Sequence, residues 1–440
     1  MKKTALIFIL IINGVNLWSQ NNSPYTFFGL GQFNENHYAF NKMMGMSGSA
    51  YADTAIGNVM NPAALSSLKN TVLQTSVSLG FNRLNVDNEN QYYNDAWMGY
   101  FSLSFPLISE RLGASFGIRP LSTVNYKIID STFQQSIGDV VYKYEGSGRL
   151  YSSYINLGLE LLPEKVRRKH SLSIGLNLNY LFGYLEKQVQ TEFNDTAYFL
   201  NSRKVEGLYL SDLYASYGVR YQTSFKETEQ EAYKLALSYA FDQGKPIRVK
   251  RDVYWDRYTY YGNMMLVKDT VSIDLNEEGM LDYPKGQHFG LSLQKRSKGQ
   301  SNRTNEWMLA VDYKSRQWSN YTYYEQNPML QDNYLISFGG FVKPASAKKA
   351  KPKTYYFGVY KGLSMLEFNG EHIEKFGMSF GLGIPFRKLP GKGDQSSQLN
   401  LGLTLGKEGK QSENIIEQSF IEINLGVIMN SRWFRKRKFN

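Results

Sequence analysis

The 440-residue chain contains no cysteine and only four histidines. Without cysteine there is no disulfide framework, thiolate zinc site, iron–sulfur cluster or cysteine nucleophile. The histidines, at positions 37, 170, 288 and 372, have no metal-ligand spacing. The sequence also lacks a Gly-x-Ser-x-Gly elbow, a P-loop and a His-Glu-x-x-His motif. We therefore expect no catalytic residue, no metal site, no cofactor and no enzymatic activity.

Long apolar runs are also missing after the first twenty residues. Residues 1–3 are basic at two positions, residues 4–15 are mostly apolar, and residues 19–22 are polar. This layout predicts a secretory signal peptide over residues 1–20, cut after Ser19 or Gln20, so the mature chain is exported and nucleic acid is not an expected partner. Beyond residue 20 no run approaches the roughly 18 apolar residues of a membrane-spanning helix. A membrane-embedded chain of this kind has to be a closed β-barrel.

What the sequence does contain is period-2 alternation from residue 71 onward. In residues 171–181, Leu, Ile and Tyr alternate with Ser, Gly and Asn, and in residues 399–405 every second residue is Leu. Such segments are strands with one apolar face and one small or polar face. A soluble β-sandwich alternates as well, but here the Gly, Ser and Asn face suits a lumen, and Tyr and Phe near the segment ends suit aromatic girdles. The pattern predicts an all-β protein, a transmembrane antiparallel β-barrel in the bacterial outer membrane that contacts membrane lipids and lipopolysaccharide.

The alternating segments number fourteen, an even number as expected for a single-chain bacterial barrel. Their cores are residues 71–82, 96–106, 111–126, 147–162, 169–184, 209–225, 232–242, 286–297, 305–316, 333–343, 354–363, 375–386, 397–405 and 418–430. The long connections, 127–146, 185–208, 243–285 and 317–332, are expected on the outer side. Because 185–208 and 243–285 have room for more strand above the membrane, the count could be wrong by two.

Residues 21–70 lack this alternation and are rich in Gly, Ala, Ser, Asn and Met. The stretch contains Ser-Pro-Tyr at 23–25, Ala-Tyr-Ala-Asp at 50–53, and Asn61-Pro62-Ala63 immediately before the first strand. It resembles the N-terminal hatch of the FadL family of outer-membrane transporters for long-chain fatty acids and other hydrophobic compounds. Asn61-Pro62-Ala63 matches the core of that family's Asn-Pro-Ala-Gly-Leu motif, with Ala64 in place of the usual Gly. The opening and the basic C-terminal tail are similar to the Bacteroidota branch, which includes accessory barrels of the type IX secretion system.

The resemblance implies a hatch that plugs the lumen and lines a hydrophobic binding site. The residues we expect to form the hatch and bind ligand are Met44, Met46, Met60, Asn61, Pro62 and Ala63. Methionine side chains suit an adaptable apolar surface, and they equally suit the packed core of a plug. The expected function is uptake or binding of a hydrophobic, fatty-acid-like small molecule. The alternative is a non-catalytic barrel subunit of an outer-membrane complex, of the secretion or assembly type. A barrel enzyme acting on lipid would need a paired nucleophile and base, which the sequence does not show.

The formal net charge of +11 is concentrated at a few places. Two lysines belong to the signal peptide, and most of the remaining excess lies in the C-terminal tail and in the turn around residues 343–353. We expect a periplasmic basic patch that meets lipid headgroups or other outer-membrane or periplasmic proteins, formed by Lys349, Lys351, Arg435, Lys436 and Arg437. The expected organisation is a signal peptide (1–20), an N-terminal hatch (21–70), the barrel (71–430) and a basic periplasmic tail (431–440).

Overall fold

The computed structural model describes most of the chain. The described residues are 23–34, 37–86, 89–135, 137–167, 169–193, 199–228, 230–298, 304–325, 328–345, 352–368, 370–388, 396–410 and 416–431. The expected signal peptide, nearly all of the basic tail, and the basic-patch residues Lys349, Lys351, Arg435, Lys436 and Arg437 lie outside them. In the described part of the chain, no helix has the length and apolar character needed to cross a membrane.

The described residues form seventeen strands, and fourteen of them close into one antiparallel barrel. They are β1 (Gln32–Phe33), β2 (Thr71–Val86), β3 (Glu89–Ile108), β4 (Leu112–Gln134), β5 (Gly138–Glu160), β6 (His170–Phe193), β7 (Asn201–Glu227), β8 (Glu231–Asp242), β9 (Lys245–Tyr261), β10 (Met264–Tyr283), β11 (Gly286–Lys298), β12 (Thr304–Arg316), β13 (Asn333–Lys343), β14 (Thr354–Phe368), β15 (Glu371–Lys388), β16 (Ser396–Glu408) and β17 (Glu417–Ser431). The barrel runs from β2 to β8 and then from β11 to β17. It closes where β17 pairs with β2, from Thr71 opposite Ser431 to Asn85 opposite Glu417. The predicted barrel of fourteen strands is confirmed.

The alternation along each strand gives the barrel an apolar outer face and an inner face of small and polar side chains. In β16, Leu401 and Leu403 are exposed on the outside, whereas Asn400 and Thr404 are buried inside. In β6, Leu178 is exposed and its neighbour Asn179 is fully buried. An outward apolar band of this kind is the surface that outer-membrane barrels present to lipid, and the closed sheet leaves no backbone edge exposed there.

The two ends of the barrel differ. At one end, here called the turn end, the barrel strands are joined by the connections 109–111, 161–169, 228–230, 299–303, 344–353 and 389–395. At the other, the loop end, β4 to β7 continue past their neighbours and reach 23, 23, 24 and 27 residues. Short turns on the periplasmic side and long outer extensions are the usual asymmetry of outer-membrane barrels.

β9 and β10 form the additional strand that the sequence allowed for. β9 pairs with β7 over residues 249–258 and with β10 along its whole length, so the hairpin prolongs the wall above the barrel instead of widening it. Below the hairpin, β8 pairs directly with β11 to keep the barrel closed. The count of fourteen therefore stands, with an extra hairpin inside the long connection 243–285.

The N-terminal segment lies inside the lumen in two parts. The first, residues 23–33, contains a 3-10 turn (Pro24–Phe27) and β1, and crosses the loop end; we call it the outer cap. The second, residues 37–67, contains helix α1 (Ala39–Met43) and a 3-10 helix (Pro62–Ser67), and fills the middle and the turn end; we call it the inner hatch. Chain order thus runs from the outer mouth down through the barrel to the first barrel strand.

Candidate functional site: a lumen closed at two levels

The turn end is closed by the Asn61-Pro62-Ala63 motif. Asn61 caps the 3-10 helix: its side-chain oxygen accepts from the Ala63 amide at 3.0 Å, and its amide nitrogen donates to the Val219 carbonyl of β7, also at 3.0 Å. Pro62 suits the first helical position, where its missing N–H costs no hydrogen bond. The motif therefore fixes both the start of the helix and its attachment to the wall.

Glycines of the barrel wall allow this helix to lie directly against the strands. A Cβ added to Gly113, Gly158 or Gly175 would clash with backbone atoms of Leu65, Pro62 or Ala63 respectively. Because glycine has no side chain, the two backbones approach more closely than any other residue would permit. The small residues on the inward face of the strands therefore form the surface against which the 3-10 helix packs.

The methionines do not form one surface. Met44 is fully buried, and its backbone lies against Gly339 and Gly358 of β13 and β14, where any Cβ would clash with it. Met46 lines the main cavity of the lumen, and Met60 lines a separate small cavity with His37 and His288. The structure brings Asn61, Pro62 and Ala63 together, while the three methionines occupy three different environments.

A buried carboxylate, Asp312 of β12, holds the middle of the inner hatch. It accepts hydrogen bonds from the Gly48 amide at 2.6 Å, the Ser49 amide at 3.1 Å and the Ser49 hydroxyl, and it lies 3.0 Å from Nε2 of His288. The Ser49 hydroxyl also lies 2.8 Å from that of Ser238 on β8. Our reading of the sequence missed Asp312. The sequence signal that could have found it is its inward-facing position between the outward-facing residues Val311 and Tyr313.

Two positively charged side chains also attach the inner hatch to other strands of the barrel. The buried Arg220 of β7 donates from Nε to the Ala50 carbonyl at 2.7 Å and from a terminal nitrogen to Gln222 at 2.6 Å. Lys42 of α1 forms an ion pair with Glu422 of β17 at 2.6 Å. Since β7 and β17 stand in different parts of the barrel order, the hatch is tied across the lumen and not to one strand only.

At the loop end, Lys187 of β6 binds the outer cap through hydrogen bonds. Its ammonium group donates to the Phe27 and Gly29 carbonyls, both at 3.0 Å, and burial lowers the pKa of this group. On β4, two strands away from β6, the Ser122 hydroxyl donates to the Leu30 carbonyl at 2.8 Å. Because these bonds are to backbone carbonyls, they fix the path of the cap rather than one side chain.

Apolar side chains complete the closure of the loop end. The outer cap contributes Tyr25, Phe27, Phe28, Leu30 and Phe33 to a cluster that also includes side chains of β4 to β7, β10, β14 and the 317–332 loop. Phe27 meets the ring of Tyr126 edge-on, and Phe33 meets Trp318 in the same manner. This packing of aromatic side chains, several of them only partly buried, places the outer cap across the loop end.

Between cap and hatch lies a cavity of about 180 Å³. Seven of its lining residues are lysine, arginine, aspartate or glutamate: Lys42, Asp95, Arg149, Lys375, Lys407, Glu408 and Glu422. Two ion pairs cross the lining, Lys42 with Glu422 at 2.6 Å and Lys375 with Glu408 at 3.0 Å. The lining is mixed, because Phe33, Met46, Trp97, Leu335 and Phe420 stand beside these charged groups. An alkyl chain in the chamber would contact the apolar side chains but would also displace the hydration of the charged ones. Within the described residues, no group of three or more metal-ligating side chains lies together.

Comparison with known proteins identifies the family of the chain. The model of the BamG family matches residues 1–440. The chain belongs to the BamG family. No curated protein matches the sequence.

Solved structures share the fold of this BamG-family chain at low identity. A Pseudomonas aeruginosa FadL homologue superposes with a TM-score of 0.50 at 10% identity, covering 90% of this chain and 99% of its own. The Ralstonia pickettii toluene transporter TbuX superposes with a TM-score of 0.52 at 13% identity, covering 90% and 98%. The FadL-like fold is therefore confirmed, and together with the lipid-facing belt it identifies the chain as an outer-membrane protein.

Proposed function

We propose that this chain is a closed, non-conducting barrel that serves as a non-catalytic subunit of an outer-membrane protein complex. The observation that carries the proposal is the double closure of the lumen, with the outer cap held by Lys187 and the inner hatch held by Asp312 and Arg220. A barrel closed in this way offers surfaces to other proteins rather than a path through itself. Membership of the BamG family, rather than of a family named for transport, supports this proposal.

The chamber chemistry also favours a subunit over a channel. Burial of each methylene group of an alkyl chain gains about 0.8 kcal/mol only where the surroundings are apolar. Here the free volume is about 180 Å³ and is lined by four basic and three acidic side chains. Placing a fatty-acid-like ligand there would take water from these charged groups, and this cost offsets the gain from its contact with the apolar part of the lining.

Uptake of hydrophobic compounds is the second candidate. It is favoured by the fold shared with the FadL homologue and the toluene transporter. In that case Met44, Met46, Met60, Asn61, Pro62 and Ala63 would line the path, and the inner hatch would have to leave the glycines that seat it. Membrane lipid around the belt is common to both candidates.

Purification from native membranes in mild detergent separates the two functions. Mass spectrometry of both the proteins and the lipids that stay with the barrel gives the result. We expect a stoichiometric complex with other proteins and no apolar molecule in the lumen. A barrel that isolates alone, with a fatty acid or a similar compound bound inside, would falsify the proposal.

A further inference from the structure

The β9–β10 hairpin stands clear of the membrane. On β7, the outward apolar and aromatic residues run from Tyr209 to Phe225, which marks the lipid belt and its aromatic margin. The hairpin pairs with β7 above this belt, with Tyr254 opposite Val205. With a rise of about 3.3 Å per residue and a tilt of about 40°, the four residues from Tyr209 to Val205 place Tyr254 roughly 10 Å above the belt. The outer half of the hairpin therefore faces water.

Apolar side chains are nevertheless exposed there. In β10, Val267, Ile273 and Leu275 are each at least half exposed, and Val271 is 38% exposed. On β9 the consecutive residues Tyr254 and Trp255 are both exposed. Contiguous apolar surface outside lipid is typical of a protein–protein contact.

β10 also carries an open edge. At its base, the 317–332 loop occupies that edge, where the Asp282 amide donates to the Thr322 carbonyl at 3.0 Å and the Tyr324 amide donates to the Met280 carbonyl at 3.2 Å. From Met264 to Leu275, no described segment pairs with the edge opposite β9. Unpaired backbone groups along such an edge are a template for a strand from another chain.

The charge of β10 limits what can bind. Lys268 is its one basic residue, against five acidic residues: Asp269, Asp274, Glu277, Glu278 and Asp282. Glu277 and Glu278 pair with Arg251 and Lys250 of β9 at 2.6 and 3.4 Å. Among the described residues, Asp269 and Asp274 have no ion-pair partner and are exposed. Between Val267 and Leu275 the open edge therefore carries two exposed carboxylates, Asp269 and Asp274, against one lysine, Lys268.

We propose that an extended, basic segment of a partner protein adds as a strand to β10 between Val267 and Leu275. This rests on the proposed function as a complex subunit and assigns the surface at which one subunit docks. Bulges between Val267 and Asp269 and between Thr270 and Ser272 shorten the regular edge. The added strand is therefore short, and its apolar side chains cover those of β10 while its basic side chains meet Asp269 and Asp274.

The test compares paired-lysine variants in the native complex. Val271→Lys with Ile273→Lys places charge on the open edge. Val189→Lys with Thr191→Lys is the matched control, because β6 belongs to the same extension but is hydrogen-bonded on both edges. Folding of each barrel is checked by the gel-mobility shift on heating. We expect the edge variant to lose at least tenfold of one co-isolated protein, and the control to keep it.

Photo-crosslinking identifies the docked segment. A photoreactive residue at Ile273 should capture a Lys- or Arg-rich peptide of the protein that the edge variant loses, and Asp269→Asn with Asp274→Asn should weaken its retention. An unchanged complex in the edge variant, capture of an acidic peptide or of lipid, or no capture from an intact complex overturns the docking proposal alone. A wild-type barrel that isolates without any protein overturns both proposals.

Discussion

Asp312 shows how one residue can determine the state of a lumen. Its carboxylate satisfies two hatch amides, Gly48 and Ser49, at 2.6 and 3.1 Å, in a position that water does not reach. An amide that loses its partner in such a place costs about 1–3 kcal/mol, and more where the lost acceptor is charged. The hatch therefore depends on a group of the wall and not only on its own packing.

Replacing Asp312 should release the middle of the hatch. Asp312→Ala removes the acceptor for both amides, so we expect docking of the hatch to weaken by at least about 2 kcal/mol. Because the chain has no cysteine, a single cysteine introduced at Ser47, which is buried, reports this by maleimide labelling of the folded barrel. Labelling should be fast in Asp312→Ala and slow in the otherwise wild-type protein. Equal, slow labelling in both would contradict the role given to Asp312.

Glycine at position 358 should be as important as the carboxylate. A methyl group there would overlap the backbone of Met44 and Gly45, and overpacking of this kind costs about 1–3 kcal/mol. We expect Gly358→Ala to increase maleimide labelling of the same introduced cysteine. Gly406→Ala is the matched control, since the nearest atoms to its methyl group would belong to the side-chain ring of Phe420 and not to the backbone of the hatch. If both variants label at the same rate, backbone seating is not what holds Met44.

Part of this site was readable from the sequence. Asn61, Pro62 and Ala63 stood out because a capping residue followed by proline is a local signal, and the structure brings them together at the turn end. Asp312 and Arg220 were not found, because their meaning depends on where residues 48–50 lie, more than 150 positions earlier in the chain. Their inward-facing positions in the alternating pattern did not distinguish Asp312 and Arg220 from the other polar residues of the lumen.

At the scale of elements, strands were easier to predict than the segment they enclose. Period-2 alternation survives in each barrel strand because one face meets lipid and the other meets the lumen. The outer cap has no such rule: Pro24–Phe27 is a single 3-10 turn, and its position follows from bonds to β4 and β6. The sequence predicted one hatch, whereas the element closing the loop end is separate from the one closing the turn end.

The outer cap should control access from outside. Lys187→Met keeps the length of the side chain but removes both bonds to the Phe27 and Gly29 carbonyls, so the cap should loosen while the barrel remains folded. We expect a cysteine placed at Asp95, in the chamber wall, to react several-fold faster with an impermeant maleimide added outside intact cells. Lys127→Met, which removes an ion pair of the same extension away from the cap, is the control. Equal labelling rates in the two variants would contradict the role given to Lys187.

For the whole molecule, the closure explains why the FadL-like fold does not by itself imply transport. The fold supplies a belt for lipid and a lumen, and the lumen of this chain is filled by its own N-terminal segment. The same molecule extends a wall of β4 to β7 and the β9–β10 hairpin far beyond the belt. A closed lumen with an enlarged outer surface is what the proposed role as a complex subunit requires.

A disulfide lock of the hatch gives the most direct test of this account. The hydroxyls of Ser66 in the 3-10 helix and Ser173 in β6 are 2.9 Å apart, and the chain has no other cysteine to interfere. Ser66→Cys with Ser173→Cys, once oxidised, should fix the hatch without changing the outer surface. We predict that locked and reduced barrels recover the same protein complex and that cells carrying either form take up labelled fatty acid equally. Uptake that stops on oxidation and returns on reduction would contradict the closed-subunit account.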